Sequence, residues 1–348
     1  MNKKPLTIKT KEFTIPLIQG GMGVGVSLGN LAGHVAECGA VGVISSVNAG
    51  FREPDFEKNP LEANLRALKK EIAKAKEIAR GKGLIGVNIM TAVTNYEATC
   101  RAAVEAGVDL VISGAGLPLK LPEYLEGSEA LCAPIVSSGK AAKILIRHYE
   151  KRYHRKPDLF VLEGHEAGGH LGFSQEELLA GSARSNDEIL KEVLAEAGDI
   201  PVFVAGGVFT REDVEHFRRL GAAGVQVGTR FIATEECDAA PAFKQAILDA
   251  REEDILITVS PVGMPARAIN SPLLKRLKTG QRFPALHCNN CLTACKKGDR
   301  TPYCISRALI EAVKGNLEDG LFFTGANAGR IHEIVPVRQL IEELMGES

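Results

Sequence analysis

Two histidines, a glutamate and four glycines share the nine positions of GHEAGGHLG, residues 164–172. Glycine at this density works against a helix, where each one costs roughly 0.5–1 kcal/mol relative to alanine, and the stretch is too polar for a central strand. What it offers is bare backbone, to which a flat ligand can come close, with imidazole beside it.

Two further stretches carry glycine where chemistry could use it: Ala205-Gly206-Gly207 and Gly228-Thr229-Arg230. Consecutive N–H groups without a Cβ between them can converge on phosphate oxygens, and a threonine hydroxyl adds one more donor. Asn88 is a polar residue inside the apolar run GLIGVNIM, either as a satisfied buried amide or as a partner for a planar heterocycle. Gln19-Gly20-Gly21-Met22, Ser113-Gly114, Ser137-Ser138 and Glu163 likewise follow apolar runs. Glycine walls, amide donors and a phosphate cradle, with no metal-ligand triad, suit flavin mononucleotide (FMN), because such a cofactor brings the redox chemistry and the protein supplies position. Without a cofactor, little in these residues could catalyse.

Cysteine forms a separate pattern. Cys288, Cys291, Cys295 and Cys304 stand in a C-x₂-C-x₃-C-x₈-C arrangement, while Cys38, Cys100, Cys132 and Cys237 are isolated in apolar or amphipathic surroundings and read as buried free thiols. For the clustered four, three readings stay open: an iron–sulfur cluster, a four-cysteine zinc site, or thiols that remain free in a structural tail. In each, the expected role is to pin the tail, with Cys291→Ser costing more thermal stability than turnover.

These residues must be positioned by something regular. Apolar, β-branched runs recur at 15–21, 40–46, 83–90, 108–114, 133–139, 158–164, 200–207 and 223–231, each ending in glycine or a small residue. Between most of them lie amphipathic stretches with apolar residues three and four apart. Continuous apolar strands alternating with helices imply parallel pairing with right-handed crossovers. Eight such units predict an α/β fold, a (β/α)₈ TIM barrel with a C-terminal helical, cysteine-containing lid or tail. The competing fold, an open dinucleotide-binding sheet suggested by GGMGVG, lacks the acidic residue that should end its second strand. The expected organisation is a flavin-binding barrel over 1–235, closed by a helix within 236–270, and a tail over 271–348 with helices near 305–316 and 336–346. A barrel of this kind keeps its chemistry at the C-terminal ends of its strands and often holds phosphate after strands seven and eight, where the two glycine loops fall.

Composition narrows the partners. The 348 residues carry 42 Lys and Arg against 43 Asp and Glu, a net charge of −1, with no massed basic patch. This predicts a small-molecule substrate, no nucleic acid and no membrane. No apolar run approaches the ~18 residues of a membrane span, so a cytoplasmic protein is expected, with a homodimer as its candidate assembly.

PLIQGGMG, GVNIM, SGAG, EGHEAGGHLG, PVFVAGGV and GVQVGTRF, in that order, resemble successive motifs of the nitronate monooxygenase family, formerly 2-nitropropane dioxygenases, over about residues 13–270. That family includes FMN-dependent enoyl-acyl-carrier-protein reductases and NAD(P)H:quinone reductases. The resemblance implies FMN contacts from Gly21, Met22, Asn88, Gly114, Glu163, Gly168, Gly169, Gly206, Gly207, Gly228 and Thr229. It makes His170 the catalytic residue, whereas His165 is expected to be structural or solvent-facing. His34, His148, His154 and His216 are expected on solvated helix faces. The implied activity is oxidation of alkyl nitronates with O₂, His170 orienting the anion or accepting a proton from the neutral nitroalkane. Alternatives are an NAD(P)H-dependent reductase of an enoyl thioester or quinone, and a flavin-binding barrel without turnover.

Overall fold

The computed structural model describes residues 5–285, 288–295 and 301–346. Eight parallel strands close into a barrel: β3 (Leu17–Gln19), β4 (Val41–Ser45), β5 (Leu84–Met90), β6 (Leu110–Gly114), β7 (Leu131–Val136), β8 (Phe160–Glu163), β10 (Val202–Ala205) and β11 (Gly224–Val227). Closure excludes the open dinucleotide-binding sheet. Each strand falls in an expected run, and only β7 is displaced, starting two residues before the predicted 133 because Leu131 and Cys132 pair with Leu110 and Val111.

Period-two alternation sorts the strand residues into two cores. Ile18, Val43, Ile112, Val161 and Phe203 fill the barrel, while Leu17, Ile44, Val111, Leu162 and Val204 face the helices. The composition runs did not mark the plug at the bottom. A short hairpin, β1 (Leu6–Ile8) with β2 (Lys11–Phe13), delivers Ile8 and Phe13 to the inner core, and the Phe13 ring meets Phe203 at 5.6 Å between centroids.

The crossover helices are α1 (Gly29–Glu37), α2 (Pro60–Ala79), α3 (Tyr96–Glu105), the short α4 (Leu121–Tyr124), α5 (Gly139–Tyr153), α6 (Gln175–Ala180), α7 (Asn186–Ala197) and α8 (Arg211–Arg219). Their starts are chemically marked. Ser185 with Glu188 and Thr210 with Asp213 form reciprocal caps that satisfy otherwise orphaned N–H groups. The N-terminus of α1 is served from afar, by the half-buried Asp238 carboxylate, which accepts from Leu28 and Leu31 N–H at 2.8 and 3.1 Å.

After β11 only four residues are helical, α9 (Thr229–Ile232), followed by α10 (Pro241–Asp249). A helix does fall within the expected 236–270, namely α10; beyond it 255–269 is an antiparallel hairpin, β12 (Ile255–Val259) with β13 (Pro265–Ile269), whose alternating residues pair across the ladder. A two-residue strand, β9 (Gly169–His170), adds to its free edge, with His170 opposite Ala266. Among the described residues three α-helices follow: α11 (Pro272–Lys278), α12 (Ile305–Val313) and α13 (Val337–Met345). The last packs against α1, α8 and α9, the place where the ring of helices would otherwise be thin. Arg230 fixes it from the barrel side through Glu343 at 2.6 Å. Among the described residues, no helix is long and apolar enough to cross a membrane.

Candidate active site

A cavity of about 640 Å³ opens at the C-terminal ends of the strands, within the size range of small-molecule sites. The structure brings all twelve expected flavin-site positions to its walls. Gly21 and Met22 follow β3, Asn88 and Gly114 come from β5 and β6, and Glu163 ends β8. Gly168, Gly169 and His170 arrive on the motif after β8, Gly206 and Gly207 follow β10, and Gly228 and Thr229 follow β11. Gly21 lies so close to Asn88 that a Cβ there would overlap the asparagine side chain.

Beside the ends of β10 and β11, Gly206 and Gly207 both take positive φ, +84° and +88°, which side-chain-bearing residues rarely adopt. Their carbonyls are turned away and held: Asn186 Nδ2 donates to Gly206 at 2.5 Å and Asn327 Nδ2 to Gly207 at 3.1 Å. The Thr229 hydroxyl accepts from Gly325 N–H at 2.8 Å, which leaves its own proton to give. Two buried oxygens nearby, Gln226 Oε1 and Thr324 Oγ1, have no protein partner. Buried polar atoms are rarely left unpaired, so these are places for a polar ligand.

The opening motif is strapped down rather than loose. Arg267 on β13 donates through Nη1 to the carbonyls of His165 at 2.5 Å and Ala167 at 2.8 Å. Ala326 N–H donates to Glu166 O at 3.0 Å. On this frame His170 turns its ring edge-on to Phe323, 5.5 Å between centroids, and its Nε2 is buried without a partner. Burial holds its pKa down at about 4, because the cation would be poorly solvated. His170 is therefore a neutral imidazole at working pH. Burial acts in the opposite sense on the Glu163 carboxyl, pushing it up to about 7.

His165 is outside the cavity, its Nδ1 on the Arg184 carbonyl at 3.1 Å and its ring edge-on to Phe173. Of the histidines expected on solvated helix faces, His154 is exposed, while His34, His148 and His216 are half-buried and engaged: His34 with the Asn30 carbonyl and His216 with Asp187, both at 2.9 Å, and His148 edge-on to Tyr149 and Tyr153.

Sequence reading missed the residues that reach the cavity from the tail. Phe323, Thr324 and Asn327 follow no barrel periodicity, nor does Arg267, which acts from β13 through the carbonyls of His165 and Ala167; the one available signal was TGANAGR, 324–330, a small and polar run beyond the last strand.

Of the isolated cysteines, Cys100, Cys132 and Cys237 are buried, and burial pushes each thiol up to about 12. Cys38 departs from expectation: it caps the C-terminus of α1 and is only partly buried. Cys288, Cys291, Cys295 and Cys304 gather around a second, smaller cavity, and Cys291 borders both.

Comparison with known proteins fits this geometry. The family model described as nitronate monooxygenase matches residues 4–347. A "Probable nitronate monooxygenase" of Bacillus subtilis (strain 168) is 26% identical, with 98% of each chain covered. A "Probable nitronate monooxygenase" of Staphylococcus haemolyticus is 38% identical, but the match spans only 36% of this chain and 35% of that one. Among solved structures, FabK from Thermotoga maritima is 28% identical with a TM-score of 0.73, covering 94% of this chain and 91% of its own. Nitroalkane oxidase from Streptomyces ansochromogenes, at 22% identity and a TM-score of 0.72, shares the fold over 95% of each chain.

Proposed function

The chain belongs to the nitronate monooxygenase family and is an oxidoreductase, and from that premise we propose that it binds FMN and oxidises alkyl nitronates with O₂. The observation that carries the proposal is the unpartnered, neutral Nε2 of His170 on the wall of the glycine-lined cavity.

Gly206, Gly207, Gly228 and Thr229 would hold the phosphate, with Thr324 and Gln226 supplying polar atoms that have no other use in the fold. Gly21, Asn88, Gly114, Gly168 and Gly169 would take the ring system. When bound, the flavin supplies the two-electron redox chemistry that no side chain here provides. His170 does the rest on the substrate side. As a neutral base with its proton on Nδ1 it can accept the α-proton of a nitroalkane at Nε2, and in the other tautomer it can give a hydrogen bond from Nε2 to a nitronate oxygen. The wall of Phe323 beside it excludes water and holds the ring at one angle.

A second reading rests on the match to the Thermotoga maritima FabK structure and on a 24% identical relative from Mycobacterium tuberculosis, named as a carboxyl-CoA dehydrogenase, covering 95% of this chain and 92% of its own. In it the same cavity serves an NAD(P)H-dependent reductase of an enoyl thioester or quinone. Anaerobic mixing of the purified protein with NADH or NADPH, and separately with an alkyl nitronate, decides between them. Flavin bleaching by the nitronate alone is expected; rapid bleaching by the nicotinamide and none by the nitronate would establish the reductase. A yellow protein that neither donor reduces would leave a binding barrel.

A further inference from the structure

The four clustered cysteines take no part in the reaction above, yet the fold brings them together with some care. Cys288, Cys291 and Cys295 lie on one loop and Cys304 caps the N-terminus of α12, all four lining a cavity of about 330 Å³. The loop is tied to the barrel: Thr94 N–H donates to Cys291 O at 3.1 Å, Thr293 N–H to Ala92 O at 2.9 Å, and Leu292 pairs with Val93. Cys304 is held separately, its N–H on the Phe283 carbonyl at 3.3 Å beside the Phe283–Tyr303 bridge.

Three occupants compete. Disulfides are not formed, since all four cysteines are free. A zinc ion would need sulfurs converging on one point at about 2.3 Å, and among the described residues no three His, Cys, Asp or Glu side chains are so arranged. Thiols placed around a volume, rather than a point, meet the requirement of a polynuclear centre in which iron and inorganic sulfide fill the middle. Arg307 and Lys314 share the cavity wall with Glu311 and Glu57, so the charges of the wall balance.

We propose that Cys288, Cys291, Cys295 and Cys304 ligate a four-iron, four-sulfide cluster. It stands one wall away from the flavin cavity, since Cys291, Leu292, Ile305 and Ser306 line both. The cluster therefore fixes a wall of the substrate site.

The test is metal analysis of the full-length protein purified without oxygen, then treated with ferrous iron and sulfide under reducing, anaerobic conditions. About four iron and four labile sulfide per chain are expected, with a low-temperature paramagnetic signal after dithionite reduction. Cys288→Ser and Cys304→Ser should each lose most of both while melting as folded proteins. Stoichiometric zinc, no metal in either preparation, or a full cluster surviving both replacements would overturn the proposal. Wild-type metal content decides even where a serine variant fails to fold. Flavin is quantified on the same sample, so its absence and the absence of iron are separate results.

Discussion

His170 and His165 lie five residues apart in the sequence and differ in almost every physical respect. One has an unpartnered nitrogen facing the cavity, the other spends a nitrogen on the Arg184 carbonyl outside it. His170→Asn is expected to keep the flavin and lose roughly 10²–10⁴-fold in kcat/KM for a neutral nitroalkane, the range for a proton-transfer residue, while His165→Asn loses little. Equal losses in the two variants would place the chemistry elsewhere. Because burial holds His170 at about 4, the acid limb of that rate should fall near pH 4 rather than near 6.5. Glu163 gives a stability prediction with the opposite sign. Its folded pKa of about 7 lies above the ordinary value of 4.5, so between those values the unfolded chain holds fewer protons than the folded one. Glu163's own contribution to the stability of the flavin-free protein therefore falls as pH rises from about 4.5 to about 7 and then levels, against the rise that His170 contributes between about 4 and 6.5. Glu163→Gln should flatten that fall; melting temperatures of both proteins across the interval check it, and parallel curves would show that the carboxyl ionises freely. These two residues were legible because they interrupt apolar or glycine-rich runs. Asn186 and Arg267 were not, since each acts through a backbone carbonyl brought near only by folding: Asn186 through Gly206, 20 residues away, and Arg267 through His165, 102 away.

Among the elements, the strands could be read because burial on both faces writes a continuous apolar run, and the crossover helices because their charged faces repeat at helical spacing. The hairpin at 255–269 could not. Its strands are only partly buried and sit above the mouth, so ITVSPVGMPARAI carries neither a clean alternation nor a core run. Yet it positions the candidate base, by pairing Ala266 with His170. The glycine loop after β10 shows the opposite case, a signal in the sequence whose geometry needed the fold. At Gly207, φ is +88° and a Cβ would run into the Glu166 carboxylate. Gly207→Val should therefore empty the flavin site, since a β-branched residue resists that φ and the displaced Glu166 belongs to the strapped motif. Flavin absorbance per chain after gel filtration measures the effect, and stoichiometric flavin in the variant would remove this loop from the binding site. Cys291 warns against reading one replacement too simply. It borders both cavities, so Cys291→Ser should disturb the flavin site as well as the thiol cluster, and Cys288 and Cys304 report on the cluster alone.

On the scale of the whole molecule, the tail does two jobs that its sequence suggests as one. Residues 321–327 reach over the cavity, where Thr324 and Asn327 line its wall and Asn327 donates to the Gly207 carbonyl. Farther on, α13 leaves the mouth and lies in the outer ring against α1, α8 and α9, with Val337, Leu340, Ile341 and Leu344 joined to the main core. A lid could be removed and leave the barrel standing; a ring helix could not, because the apolar faces beneath it would be exposed to water. Leu340 is fully buried there. Leu340→Ala is expected to cost about 2–5 kcal/mol, the range for deleting a buried leucine side chain from a well-packed core, and to lower the melting temperature of the barrel itself. Phe323→Ala, at the cavity, should instead weaken flavin and substrate binding with a smaller change in melting of the flavin-free protein. Chemical denaturation of both flavin-free variants separates the two jobs. If Leu340→Ala unfolds at the wild-type midpoint while its flavin is lost, α13 acts as a lid and the ring is complete without it.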